Sequence, residues 1–412
     1  MWAIHWLILL YFGWFKVDYY DYGIWAYQGV PYTDFGFYYF AGRQLLIDPN
    51  RFYQKKHGTW AITSLPFFLM LWAISLSLLP YIISYFIWYI LHYISAVLFV
   101  LEFNKILKLL GIKEKIHRFL FLMVISNGNL ILFQFALNQS KFLLGTILLF
   151  ILRREIQYNK EEKQKDFKYK FSTYFLFVMI VGMDPYFIFL LLIFIFHDIP
   201  FGKLFKKENL KTYGIVTLIF LGQNFLFIIY PGLIFDYFKI FRDYQGLQFS
   251  LALYYLAFIN TNFIIPNAAK FIISLILLII LYEIIGFLLI TKKLKIHEKF
   301  SYFAISFIFL NCLVERTFII LFPLILLLFI PFLHQDEIGR DFIKKNKFVL
   351  IGLISVLGIY LSNVTMEGLN LHYPDLFGGG TGLLIFTVLL GICLLKLYLN
   401  KDFYIVERKQ EV

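Results

Sequence analysis

The sequence predicts an all-α, polytopic transmembrane helical bundle, and three observations predict it. Of 412 residues 60% are hydrophobic and 21% aromatic, while 16% are charged, against roughly 25% in an ordinary soluble domain. Apolar runs recur at lengths that suit a helix crossing about 30 Å of hydrocarbon, which takes roughly 20 residues. The basic residues behind the net charge of +12 collect in short clusters between those runs, the pattern of cytoplasmic loops rather than of a polyanion site. Nucleic acid is therefore not an expected partner.

The elements follow in chain order. Residues 1–15 lack a basic leader region and a small-residue cleavage site, so they read as a first transmembrane helix rather than a cleaved signal. Residues 16–60 form a long first external loop carrying interfacial helices. Two apolar stretches follow, Ala61 to Leu79 and Tyr81 to Leu101. Two full crossings there would put the next basic cluster outside, so Trp60 to Leu79 is expected to be a re-entrant or interfacial helix broken by Pro80.

Basic loops are expected on the cytoplasmic side at Lys105–Arg118, Arg153–Lys170, Lys203–Lys211, Lys292–Lys299, Arg340–Lys347 and Lys401–Lys409. An even number of crossings must separate consecutive loops of this kind. Out-and-back helices should then turn outside near Asn138 and Gln139, near Asp184 and Pro185, and near Glu315 and Arg316. A second large external loop is expected at 231–267 and another at 363–382, the latter holding Glu367, His372, Asp375 and a flexible run at Gly378–Gly380. The resulting count is about twelve spans with both termini cytoplasmic. Residues 1–290 read as one module and 291–412 as C-terminal transmembrane helices. Cys312 and Cys393 both lie in apolar segments and imply no disulfide framework.

The first external loop is unusual beside the basic ones, because Asp18, Asp21, Asp34 and Asp48 lie in it among many tyrosines. Carboxylates in such a loop can take a proton from an acceptor hydroxyl, hold a divalent cation or orient a sugar. They can equally cap short helices beneath an interfacial belt of tyrosines. Composition leaves these readings open.

The order of residues is more informative. Asp18 and Asp21 follow the first helix; then come Gly29, Pro31, Tyr32, Asp34 and Phe35; then Tyr38, Tyr39, Ala41, Arg43, Leu45, Leu46, Asp48, Pro49 and Tyr53. This series resembles the first external loop of the GT-C superfamily of integral-membrane glycosyltransferases, closest to its mannosyltransferase-like branch. Leu65-Pro66 is similar to a remnant of that branch's Y-P-P segment, and Asn138-Gln139 to its G-Q motif with Asn in place of Gly. Asp184-Pro185 falls where the branch often has Lys-Pro, so an anion replaces a cation there, with Lys141 or Arg43 as candidate substitutes. The resemblance covers the first half of the chain by motif and the second half by helix layout.

The resemblance implies inverting transfer of a hexose, mannose in that branch, from a polyprenyl-phosphate donor to a glycan, lipid or protein acceptor on the external face. It implies Asp34, Asp21 or Asp18 as general base or cation ligand, and leaves open whether a divalent cation such as Mg or Mn takes part. Substrate-binding candidates are Arg43, Asn138, Gln139, Lys141, Asp184, Glu315, Arg316 and His372. Physically, a carboxylate activates the attacking hydroxyl while Arg or Lys stabilises charge on the leaving phosphate. Two rivals use similar composition: a transporter or flippase for lipid-linked or small polar substrates, and a polysaccharide polymerase or ligase. Inverted repeats would mark the first, and reliance on external Arg and His the second. No Walker loop, G-x-S-x-G elbow or H-E-x-x-H occurs in the sequence.

Overall fold

A computed structural model describes residues 34–54, 64–127, 140–163, 165–197, 199, 201–240, 283–289, 294–310 and 315–333, with 344, 347, 350 and 351. The all-α expectation holds among them: the elements are α- and 3-10 helices, with no strand. The chain divides into two compact units. The first takes residues Met1–Ile106, Leu130–Leu191 and Gly202–Gly246, and the second Leu107–Asn129, Leu192–Phe201 and Leu247–Val412. The expected first helix at 1–15 and the external loop at 363–382 lie outside the described residues, as does all of the first loop before Asp34.

In the first unit the former loop motif folds into helix α1, Asp34–Ile47, which ends where Pro49 opens a 3-10 turn through Gln54. α1 lies against α2, Pro66–Ile74. Pro66 suits the first turn of α2 because that turn has no carbonyl for its missing N–H to reach. Nine residues at 1.5 Å each make α2 about 14 Å long, far short of a bilayer core, and it ends at Ile74 rather than at the expected Leu79, with only a 3-10 turn between it and Pro80.

Gly42 is what lets α1 and α2 approach. A Cβ there would stand 2.2 Å from the Ser77 hydroxyl oxygen and 3.0 Å from the backbone nitrogen of Ala73. Gly42→Ala should therefore cost about 1–3 kcal/mol by overpacking. A thermal melt of purified protein would read this directly. Gly202→Ala, where an added Cβ meets nothing within 4 Å, serves as the neutral control.

Helix α3, Tyr81–Leu109, is 29 residues, or about 43 Å at 1.5 Å per residue. Among the described residues it is the one helix long and apolar enough to cross a membrane. Its outward face is apolar, and its buried polar residues share the inner face with Tyr85, Trp88, Ala96, Phe99 and Phe103. Ile82, Ile83, Phe86, Ile90, Leu91, Ile94, Leu98 and Leu101 are exposed, whereas Ser84, His92, Ser95 and Glu102 are buried.

Helices α4, Lys115–Asn127, and α5, Lys141–Lys160, come next, followed by α6, Phe167–Met183. α5 runs parallel to α3, since Thr146 Oγ1 donates to the Ser95 carbonyl (2.8 Å) and Arg153 bonds Glu102 one to two turns further along. Gly145 allows the contact, because a Cβ there would meet the Phe99 ring at 2.7 Å. α6 returns antiparallel to α5. Its start is capped by Asp166, whose carboxylate accepts from the Tyr169 N–H at 2.7 Å. α7, Ile188–Phe196, follows a short 3-10 turn; α4, and α7 from Leu192 onward, belong to the second unit, whereas α8, Lys207–Gln223, and α9, Leu226–Ile229, belong to the first. A further helix covers 232–240.

The expected basic loops are a correction. Arg153–Lys160 remain helical in α5 and Phe167 already begins α6, leaving a link of six residues, 161–166. Lys105 and Lys108 likewise belong to α3. The reason is local charge satisfaction. Glu102 takes both Lys105 and Arg153, and Glu155 takes Lys165, the Tyr169 hydroxyl (2.7 Å) and Asn159 (3.2 Å). The cations are held on helices rather than released into a solvated loop.

In the second unit α10, Ile296–Leu310, packs on α11, Glu315–Leu326. Here too part of an expected basic loop is helix. His297, Glu298 and Lys299 form the buried first turn of α10, with the Glu298 carboxylate accepting from the Lys295 N–H at 2.5 Å in the manner of a capping box. Burial first, then Lys295 and His197, push His297 down to about 3, so it is neutral near pH 7.

Candidate functional site

The two ends of the α5–α6 hairpin differ in chemistry. One end carries the cations of Arg153–Lys170. At the other, α5 begins with Ser140 and Lys141, and α6 ends at Asp184. There Lys141 Nζ donates to Asp184 Oδ2 at 2.8 Å, the two side chains being 16% and 7% exposed. Asp184 holds an extended backbone ahead of Pro185, and its other carboxylate oxygen accepts from the Tyr186 N–H at 3.4 Å. The sequence predicted an external turn between two spans near this dipeptide; the helix does break there, and the helix that follows, α7, has nine residues.

Residues just before α2 fasten this end. The Leu65 N–H donates to the Gly182 carbonyl (2.7 Å), and Ser64 Oγ donates to the Met183 carbonyl (3.2 Å). The Tyr53 hydroxyl in turn donates to the Ser64 carbonyl at 2.8 Å. Tyr53 packs edge-on against Tyr237, ring centroids 5.4 Å apart, and both stack near Phe227. Burial and then Tyr237 push the Tyr53 phenol well above its ordinary value. Burial and then the negative charge of Asp184 raise that of Tyr237. The protonated Tyr237 phenol thus stands near a carboxylate that also holds an ammonium.

α1 reaches the same end. The Tyr38 hydroxyl meets Ser140 Oγ at 3.5 Å, one residue before Lys141. The Tyr39 hydroxyl donates to the Leu79 carbonyl at 2.7 Å. Phe35 sits at the centre of an aromatic cluster with Tyr39, Trp72, Tyr81 and Tyr85, all at 5.2–5.9 Å. Edge-to-face pairs of this kind add about 0.5–1.5 kcal/mol each beyond burial. Several residues that carry the motif of the first loop are therefore packing residues: Phe35, Tyr39, Ala41, Leu45 and Tyr53 are buried.

The sequence-predicted site residues divide accordingly. Lys141 and Asp184 are brought together. Asp34 opens α1, with its side chain outside the described set, and Asp18 and Asp21 lie outside the described residues altogether. Arg43 is exposed on α1 with its guanidinium 5.8 Å from the Tyr39 ring centroid, and it makes no ion pair with Asp48 among the described residues. Asn138, Gln139 and His372 lie outside the described residues. Glu315 and Arg316 form the first turn of α11, their side chains outside the described set. Sequence reasoning missed Ser64 and Tyr237, and gave Tyr53 only as a motif match. Their positions as single polar residues bordering apolar runs were the available signal.

Among the described residues no three His, Cys, Asp or Glu side chains gather in a way that could hold a metal ion. The chain matches no protein-family model, no curated protein and no solved structure.

Proposed function

We propose that the chain is a polytopic membrane glycosyltransferase of the GT-C kind, with about twelve spans, both termini cytoplasmic and its site on the external face. The observation that carries this reading is a segregation within the first unit. The helix α1, made from the resembling first-loop motif, meets the start of α5, and Ser64 and Leu65 fasten the end of α6, while the basic residues stand at the other end of the same hairpin. The α3 surface supports a lipid setting, because apolar side chains face outward and polar ones face protein. The one-crossing path of α3 also agrees with a short, non-spanning α2.

In this reading the donor keeps its polyprenyl tail in lipid while its sugar and phosphate reach the external end of the first unit. The acceptor oxygen attacks the anomeric carbon, the bond from that carbon to the phosphate oxygen breaks, and an aspartate of the first loop takes the acceptor's proton. Asp34 and Asp21 come first for that role and Asp18 behind them, as base or as ligand of a divalent cation. Lys141 supplies the positive charge that Asp184-Pro185 lacks, arriving from the neighbouring helix at 2.8 Å. Arg43, Asn138, Gln139, Glu315, Arg316 and His372 remain candidates for contacts to donor or acceptor.

The test is transfer of radiolabelled sugar from polyprenyl-phosphate donors in membranes containing the protein. At least one of Asp21→Asn and Asp34→Asn is expected to lose about 100-fold or more in rate, the usual scale for a general base, with protein level unchanged. Undiminished transfer by both variants would remove the proposed base.

A further inference from the structure

The end of the first unit opposite Lys141 and Asp184 has a surface that the proposed reaction does not use. We propose that it docks anionic phospholipid headgroups, with the exposed phenylalanines at the start of α6 seated among the acyl chains. The proposal rests on the membrane reading above but not on sugar transfer.

Three observations carry it. First, most carboxylates at this end are held from within, exposed Glu162 apart. Glu102 is held by Lys105 and Arg153, buried Glu155 by Lys165 and Tyr169, Asp166 by the Tyr169 N–H, and Glu161 by Lys163 and Gln157. Second, the outward charge is predominantly cationic. Lys160 and Lys168 are exposed and Lys170 half-buried, all within the turn of α5 into α6, against the exposed acid Glu162, which at φ 50° tightens the link. Third, an aromatic ladder begins in the same place. Phe167 and Phe171 are 68% and 44% exposed and stack at 6.0 Å, and Phe171 stacks on Phe175 at 6.3 Å.

Exposed phenylalanines one helical turn apart, beside lysines, fit the boundary between acyl chains and headgroups better than water. An anionic lipid surface attracts each nearby lysine by about fivefold in affinity. The acids at this end would otherwise oppose this attraction, and the pairing of Glu102, Glu155, Glu161 and Asp166 reduces that opposition.

The experiment uses the full chain in nanodiscs of phosphatidylcholine and phosphatidylglycerol at three to one, followed by mass spectrometry of lipid retained after detergent exchange. Phosphatidylglycerol is expected to be retained at about threefold or more over its bulk share, with retention falling as salt rises. The variant Lys160→Gln/Lys168→Gln/Lys170→Gln should return it to the bulk ratio while keeping wild-type helicity, and Phe167→Ser/Phe171→Ser should lower retention of both lipids. Bulk-ratio retention by the wild type, undiminished enrichment in the lysine variant, or displacement by millimolar inorganic phosphate would overturn the lipid assignment alone. Release of the chain from membranes by alkaline carbonate would overturn it together with the membrane reading.

Discussion

Asp184→Ala is expected to cost about 3 kcal/mol of stability, because it strands the Lys141 ammonium in a site where that side chain is only 16% exposed. The cost should come chiefly from the uncompensated charge rather than from loss of a favourable bond. Removing both charges should therefore recover most of it: the double variant Lys141→Met/Asp184→Leu is expected within about 1 kcal/mol of wild type. Thermal unfolding of wild type, Lys141→Met, Asp184→Leu and the double variant, in one detergent, isolates the coupling. Additive losses in the two single variants would mean that the pair is not coupled. If the proposed transfer operates here, the double variant should fold and yet be slow, since the cation facing the leaving phosphate is gone.

A second large effect is expected at Glu155. Its buried carboxylate accepts from Lys165, Tyr169 and Asn159, so Glu155→Leu leaves a buried hydroxyl and an ammonium without their acceptor. The expected loss is about 3 kcal/mol. Glu155→Gln keeps an acceptor for Tyr169 and should lose less, about 1–2 kcal/mol. Faster hydrogen exchange in the 161–166 link should accompany both, because Lys165 is what ties that link to α5. Exposed Glu161→Gln should change neither melting nor exchange. Equal stability of Glu155→Leu and wild type would show that the network is not structural.

Some of the local punctuation was legible beforehand. A helix does break at Asp184-Pro185, because a proline's missing N–H and fixed φ act on its own turn, whereas the α-helix expected to run to Leu79 ends at Ile74, with only a 3-10 turn between it and Pro80. Glu315 and Arg316 stand at the start of a helix, beside the expected turn. The basic segments were misjudged as loops. Clustered charge suggests solvation, and nothing local reveals that Glu102 and Glu155 stand ready on the helices to receive those cations. The motif of the first loop was also read as chemistry, whereas Phe35, Tyr39 and Tyr53 turn out to pack the end of the unit.

What the chain alone determined is helix and some of its breaks, because these depend on composition and on neighbours within a turn or two. Tertiary structure decided which charges meet. Lys141 finds Asp184 across 43 positions and Arg153 finds Glu102 across 51, separations at which no spacing rule operates. Only the parallel course of α3 and α5 and the antiparallel return of α6 bring those side chains within reach.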